Sequence, residues 1–348
     1  MKFPAFPARH PSLFLVLLAT LMAPVVHAAT ITVNTFDDEI NAGDGLCSLR
    51  EAVMSVNAGA DVGDCQADVT TDAYGFNDTI ILDTGTYTLS LPGLDEGYTG
   101  TGTQADPFVV TNTPDASMGD LDLMHSVRII GAGSALTKIE WDPAVATSIT
   151  TADRIFHIYT DNAGTSNDDV VIEGVTLAYG KTFEEYIGVD PQDATLEDYF
   201  RRAGGAIALG AGANVVKINP TLEGAENANA GGLGGSTGGE SGTTDYTLTL
   251  NGVVVEDSSA QGDGGGLYLA APTTATNLVV RNNRSTTNGG GIYNEANTSI
   301  SQATFSGNIA EGGGGIFTTG SNIVKITRST FTANRAIGGG AISNRKGV

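Results

Sequence analysis

Cysteine, tryptophan and basic residues are scarce in this chain of 348 residues. It holds two cysteines, one tryptophan, and 17 lysine and arginine residues against 39 aspartate and glutamate residues. Two thiols make a poor zinc site, and after residue 29 only His125 and His157 remain to help them. The excess of acidic residues repels nucleic acid and anionic membranes, so we expect neither as a partner.

Long hydrophobic runs are absent after the first 29 residues, so we expect no membrane span later in the chain. Residues 1–29 resemble a secretory signal, with basic Lys2 and Arg9, an apolar run over residues 13–26, and a cleavage site at residues 26–28. A membrane anchor is the alternative, but the apolar run is shorter than the ~20 residues that a span needs. We therefore predict an exported protein, either secreted or on the outer cell surface.

Export changes the interpretation of Cys47 and Cys65. In an oxidising compartment a close pair of cysteines favours a disulfide, and two free, buried thiols are the alternative. The segment after residue 29 has 15 basic and 39 acidic residues, a net charge of −24. A solvated acidic surface explains this charge. We predict no cofactor, although calcium remains an open ligand for the acidic loop over residues 37–44.

Glycine is abundant, with 47 residues, and much of it lies in a repeat near the end of the sequence. The motif Gly-Gly-Gly-aliphatic-aromatic occurs at 264–268, 289–293 and 313–317, and as Gly-Gly-Gly-Ala-Ile at 338–342. Aligned on their last glycines, the motifs lie 25, 24 and 25 residues apart. Four apolar residues repeat in step with them: Val255, Val280, Phe305 and Phe331. Three positions beyond these lie Ser258, Asn283, Asn308 and Asn334.

A fixed period of this length is typical of a solenoid. Helical repeats are excluded because each unit holds three or four glycines, each of which costs about 1 kcal/mol in a helix interior. The short alternating apolar runs indicate strands instead. The sequence therefore predicts an all-β, right-handed parallel β-helix, the hand following from the rule for parallel crossovers. The four apolar residues form an inner column, and Asn283, Asn308 and Asn334 form an amide ladder.

The segment after the first predicted strand has the clearest helical pattern of the chain. Ser48 and Glu51 have capping-box spacing, and Leu49, Ala52 and Val53 fall on one helical face. We predict an amphipathic helix over residues 49–57. It would cover the open end of the first coil, which is otherwise an aggregation hazard, and a disulfide would pin it.

The sequence around this helix resembles a known family. The string Cys47-Ser48-Leu49-Arg50-Glu51-Ala52-Val53 resembles the signature of the CSLREA domain, with valine where we expect isoleucine at the last position. The resemblance continues at 78–82, 85–89, 119–123 and 127–133. The glycine-rich repeats resemble those of polymorphic outer-membrane proteins and pectate-lyase-like proteins. These resemblances imply a cell-surface or secreted protein with a β-helix body, and no particular chemistry.

The predicted organisation is a signal over residues 1–29, a cap over 30–78 and a β-helix over 79–348. Inserts are expected near 93–117, 182–202 and 219–245. The second insert is rich in aromatic residues, is expected to hold a short helix, and is either a contact surface or a lid on the coil. The third is glycine-rich and expected to be mobile. The last motif ends a few residues before the end of the sequence, so we expect a piece of a longer protein.

We consider two main classes of function. A third possibility is a rigid stalk that displays a C-terminal module outside this sequence. The first is a non-enzymatic surface protein, an adhesin or cell-envelope component, with extracellular carbohydrate or a host or cell-surface protein as partner. The second is a polysaccharide lyase or glycosidase, which needs clustered carboxylates. The acids near predicted corners are Asp257, Asp263, Glu295 and Glu311. They do not recur in register, so we predict no catalytic residue and favour the first class.

Overall fold

The computed structural model describes residues 28–68, 74–75, 77–92, 98–99, 109–110, 116–145, 153–158, 169–182, 184–189, 197–202, 205–209, 214–217 and 247–345. The predicted signal lies outside the described residues, except for its last two positions, and so does the whole 219–245 insert. No helix among the described residues has both the length and the apolar character that crossing a membrane requires.

The chain winds through three parallel sheets, which we name A, B and C in the order in which each coil enters them. The strands of sheet A are Thr30–Thr32, Asp78–Ile81, Val127–Ile130, Asp169–Glu173, Thr247–Asn251, Thr273–Thr276, Thr298–Ser301 and Val324–Thr327. Those of sheet B are Gly85–Leu89, Thr137–Trp141, Thr176–Ala178, Val254–Glu256, Val279–Arg281, Thr304–Ser306 and Thr330–Thr332. Those of sheet C are Leu121–Leu123, Phe156–Ile158, Ile207–Leu209, Leu267–Leu269, Ile292–Asn294, Ile316–Thr319 and Ile342–Arg345.

Within each sheet the strands stack in chain order, so the described part of the chain forms seven three-stranded coils preceded by one extra strand of sheet A. A further parallel pair joins Ser259–Ala260 to Arg284–Ser285 between sheets B and C. The predicted parallel β-helix is thereby confirmed. Its right-handed sense stays a prediction from the crossover rule.

The interior of the coils is a continuous apolar column. Val255, Val280, Phe305 and Phe331 pair in register along sheet B. The first three are fully buried, and Phe331 is half-buried in the last described coil. The rings of Phe305 and Phe331 stack with centroids 4.6 Å apart. The structure thus stacks these four residues inside the helix, where burial of apolar area stabilises the fold.

The triple-glycine motif lies where the chain turns into sheet C. Gly289, the first residue of one motif, has φ +67°, a backbone angle that residues with a Cβ rarely adopt. At Gly290 a Cβ would lie 2.6 Å from the carbonyl oxygens of both Gly314 and Ile309. Close stacking of backbone on backbone therefore requires glycine here.

The predicted alignment of the last motif is wrong by one residue. Ile342 pairs with Ile316, so Ala341 and not Gly340 occupies the position of Gly315. A Cβ at Gly315 would lie 2.5 Å from the carbonyl oxygen of Ala341 in the next coil. Ala341 belongs to the last described coil, so no described strand lies over it and its Cβ meets no such contact.

The capping helix runs over Leu49–Ala58, one residue longer than predicted. Ser48 is its N-cap, and Gly59, with φ +62°, ends it in the left-handed conformation. The helix packs on the first coil, against strands Asp78–Ile81 and Leu121–Leu123. Its apolar face belongs to the same core as the coils.

The described residues of the first two inserts lie mainly in strands. In the first, Tyr98–Thr99 pairs antiparallel with Val109–Val110. In the second, Glu197–Arg202 pairs antiparallel with both Glu184–Val189 and Asn214–Lys217. The described residues of the second insert therefore form strands where a short helix was expected: three adjacent antiparallel strands satisfy one another's backbone groups, and a β-bulge lies near Gly188.

Candidate functional site

The predicted cap motif gives each of its residues a structural partner. The Ser48 side chain accepts from the Glu51 backbone N–H, and a Glu51 carboxylate oxygen accepts from the Ser48 backbone N–H at 3.0 Å. The other Glu51 oxygen accepts from the backbone N–H of Asn41 at 2.8 Å. Leu49 and Ala52 are buried in the core. The capping box therefore ties the helix start to the preceding loop.

Arg50 is fully buried and joins the cap to the first coil. Its Nε and Nη2 donate to the two carboxylate oxygens of Asp38 at 2.6 and 3.0 Å. Its Nη1 donates to the carbonyl oxygen of Ala116 at 2.8 Å, and Nη2 donates to that of Gly119 at 2.9 Å. This bidentate pair with extra carbonyl acceptors satisfies a guanidinium that would be costly to bury alone. These distant partners of Arg50 were not predictable from the motif.

Cys47 and Cys65 form a disulfide that closes a loop of 18 residues, with a Cα–Cα distance of 4.5 Å. Both cysteines are buried beside the helix. The linkage holds the chain after the helix against the residue that precedes its N-cap, as the sequence predicted.

The acidic loop before the helix surrounds a carboxylate. One oxygen of Asp64 accepts from the backbone N–H groups of Gly43, Asp44 and Gly45 at 2.5, 2.8 and 2.9 Å. These bonds, that from Gly45 first, hold the pKa of the Asp64 carboxyl below its ordinary value. These amides face an anion, so this part of the loop has the polarity opposite to that of a cation site.

Asn283, Asn308 and Asn334 form a ladder of hydrogen bonds between coils. The Asn283 Nδ2 donates to Asn308 Oδ1 at 3.0 Å, and the Asn308 Nδ2 donates to Asn334 Oδ1 at 2.8 Å. The same acceptors receive the backbone N–H of Asn283 and of Asn308. Each Nδ2 also donates to a carbonyl of the coil before, Val255 for Asn283 and Val280 for Asn308. Each asparagine thus joins successive coils at the corner after sheet B.

The outer face of sheet C carries a column of aromatic rings. Tyr268, Tyr293 and Phe317 pair in register and point away from the core. The centroids of neighbouring rings lie 5.3 and 5.4 Å apart, and the rings are nearly parallel. All three residues are at most 9% exposed. Sequence reasoning missed this column. The signal was the aromatic fifth residue of the first three motifs, which shares the 24- to 25-residue register.

Glu295 lies beside this column, just after sheet C. One carboxylate oxygen accepts from the Tyr268 hydroxyl at 2.8 Å and the other from the Tyr293 hydroxyl at 3.2 Å. Desolvation against the aromatic column, aided by the nearby Asp263 charge, raises the pKa of Glu295, while the tyrosine donors oppose that rise. Desolvation likewise raises the pKa of Tyr268 well above its ordinary value. The neutral carboxyl is thus favoured here more than in water.

The four predicted corner acids are only partly brought together. Asp263 and Glu295 lie close enough to repel each other. One oxygen of Asp263 accepts from the Thr287 hydroxyl at 2.6 Å and from Asn288 twice, at 2.9 and 3.0 Å. Asp257 is exposed just after sheet B, and Glu311 is exposed on the connection from sheet B to sheet C. Asp263 and the two tyrosines are the groups that act on the pKa of Glu295, and neither Asp257 nor Glu311 is among them.

A second charged group lies on the same outer face, in the first coils. Asp120, Asp122, Arg154 and His157 are all fully buried. Ligand atoms of the two aspartates and His157 lie within 4.8 Å of one another, an arrangement able to hold a metal ion. Arg154 Nη1 lies 3.3 Å from Asp120 Oδ2 and 3.4 Å from His157 Nδ1. A permanent cation therefore already balances part of this charge.

Comparison with protein families gives one match. Residues 277–295 and 302–319 match the Chlamydia polymorphic membrane protein repeat. Neither curated proteins nor solved structures give a match. The resemblances to the CSLREA domain and to pectate-lyase-like proteins stay predictions. The two matched segments include the triple-glycine motifs at 289–293 and 313–317, so two adjacent coils of this β-helix are similar to a membrane-protein repeat.

Proposed function

We propose that this chain is an exported β-helix protein of the cell surface that acts by binding, as an adhesin or an envelope component, without catalysis. The observation that carries the proposal is the match of two coils to a polymorphic membrane protein repeat. The signal-like first 29 residues support export. The capped, disulfide-pinned coil supplies a rigid body for displaying binding surfaces.

The surroundings of the acids support a role without catalysis. Both oxygens of Glu295 are engaged by tyrosine hydroxyls, and one oxygen of Asp263 accepts three hydrogen bonds. A general acid or base must instead lie within hydrogen-bond reach of a substrate proton. These carboxylates hold the connections around sheet C in place, which is a structural task.

The second candidate is a carbohydrate-active enzyme, and one observation favours it. Glu295 has a raised pKa beside stacked aromatic rings and a second carboxylate, Asp263. A carboxyl with a raised pKa near a second carboxylate is the usual arrangement for glycoside hydrolysis. The low exposure of Tyr268 and Tyr293 weighs against a sugar ring stacking on this column, although Glu295 itself is exposed.

Two measurements test the proposal. Antibody labelling of intact cells of the source organism should detect the protein outside the membrane, and labelling only after lysis would contradict it. Purified mature protein incubated with pectate or alginate, with and without calcium, should yield no unsaturated product by ultraviolet absorbance. Turnover that disappears in Glu295→Gln or Asp263→Asn, but persists in the exposed control Asp257→Asn, would establish the enzyme instead.

A further inference from the structure

A groove crosses the outer face of sheet A in the last four described coils. Its volume is about 380 Å³. It runs along the coil axis, at the start of successive sheet A strands, and Thr274, Ser299 and Lys325 lie on its floor. These three residues are direct register partners, so successive side chains recur at the strand spacing of about 4.8 Å. The groove therefore presents the same kind of group once per coil.

The polar side chains on this floor are available to a ligand. Thr274, Ser299 and Lys325 are exposed, and within the described residues their side chains take part in no hydrogen bond or ion pair. Two positions further along these strands, by contrast, the side chains of Thr276 and Ser301 are hydrogen-bonded to each other at 3.3 Å. The floor offers hydroxyl groups, which both donate and accept, and one ammonium group.

The walls of the groove add apolar surface and a fixed amide. Ile323 is 73% exposed and lies beside the floor, and Pro272 holds the equivalent position two coils earlier. The Asn297 Oδ1 accepts from the Ile323 backbone N–H at 2.9 Å, which holds the amide while its NH₂ group remains a donor. A large exposed isoleucine beside free hydroxyls suits a ligand with both apolar C–H faces and hydroxyl groups.

Charge narrows the class of ligand. The chain has a net charge of −22, yet no acidic residue lines this groove. The neighbouring Asp169 accepts from the Thr247 hydroxyl at the groove edge at 2.7 Å. An acid-free groove admits a polyhydroxylated ligand without competing carboxylates, and the negative field of the whole protein disfavours a polyanion.

We propose that this groove binds an uncharged polysaccharide chain, laid along the coil axis. The chain's hydroxyl groups exchange hydrogen bonds with Thr274, Ser299 and Asn297, and its C–H faces pack on Pro272 and Ile323. The proposal deepens the binding role stated above and rests on it, since it names the class of partner.

The test measures affinity for polysaccharides by electrophoresis in gels that contain them and by calorimetry. The purified mature chain should bind at least one uncharged polymer among dextran, laminarin and galactomannan, and should bind alginate more weakly. The double variant Thr274→Val with Ser299→Ala should bind about tenfold more weakly, the loss expected from two ordinary hydrogen bonds.

Thr304→Val is the matched control, because Thr304 is also an exposed threonine and lies on sheet B. It should leave binding unchanged. Binding of alginate alone, equal loss in the control, or no binding to any uncharged polymer would overturn the proposal. Release of reducing ends is followed in the same samples. Cleavage would refute the non-catalytic function, whereas absence of binding without cleavage would refute only the groove.

Discussion

Replacing Asn308 by alanine should weaken the β-helix more than any other single change in the asparagine ladder. Asn308 Oδ1 is the acceptor for the backbone N–H of Asn283, at 3.0 Å, and both asparagines are fully buried. In Asn308→Ala this N–H loses its acceptor, which costs about 1–3 kcal/mol. The side-chain bonds to Asn283, Asn334 and the Val280 carbonyl are lost as well. We expect the free energy of unfolding to fall by about 3 kcal/mol.

Asn334→Ala is the matched control for this prediction. It also removes an acceptor, that of the Asn308 backbone N–H, but Asn334 is half-buried in the last described coil. Water can take the place of its side chain, so we expect a loss of about 1 kcal/mol. Urea denaturation followed by circular dichroism measures both losses, and hydrogen exchange of the Asn283 amide reports the local effect. Equal losses in the two variants, or an unchanged exchange rate at Asn283, would refute the reasoning.

Three further predictions concern the cap and the aromatic column. Replacing Cys47 and Cys65 by serine should lower the free energy of unfolding by about 3 kcal/mol, because the 18-residue loop is no longer closed in the unfolded chain; an unchanged urea midpoint would contradict this. Leu49→Asp should cause aggregation on size-exclusion chromatography, because it buries a carboxylate in the helix face that covers the first coil; a monomer as heat-stable as the parent would show that the helix does not protect this end. Since the pKa of Glu295 is raised, the stability from its protonation is present below its ordinary pKa and is lost as pH rises through the raised value. Glu295→Gln should therefore reduce the fall in stability that sets in as pH rises above the ordinary pKa of a glutamate, and parallel pH profiles for the two proteins would contradict this.

The repeat made most of the fold predictable. A fixed period, alternating apolar runs and glycines at turns all indicated stacked parallel strands, and each coil repeats the same local rules. The error at Gly340 has a local cause. Alignment by glycine count assumes that every coil needs glycine at that position, whereas Ala341 has no described coil over it and tolerates a Cβ.

Features that join distant parts of the chain were not predictable in the same way. Arg50 was recognised as part of a motif, but its partners Ala116 and Gly119 lie 66 and 69 residues away. The helix expected in the second insert failed because aromatic residues at mixed spacing fit strands as well as a helix, and antiparallel partners decided between them. The groove on sheet A was missed because its floor is composed of ordinary threonine and serine residues, which become a site only through register.

The contacts of the cap set an order of events for folding. The Asn57 side chain donates to the Asp122 carbonyl at 2.7 Å and accepts from the Met124 backbone N–H at 3.1 Å. With Arg50, this makes the cap depend on residues up to position 124. Under the proposed export, with the amino end crossing the membrane first, Cys47 and Cys65 can be oxidised early, since they are only 18 residues apart. The helix cannot dock until the first coil has been wound, so the cap, which is synthesised first, is completed only after the strands that follow it. During that interval the open end of the first coil is not covered.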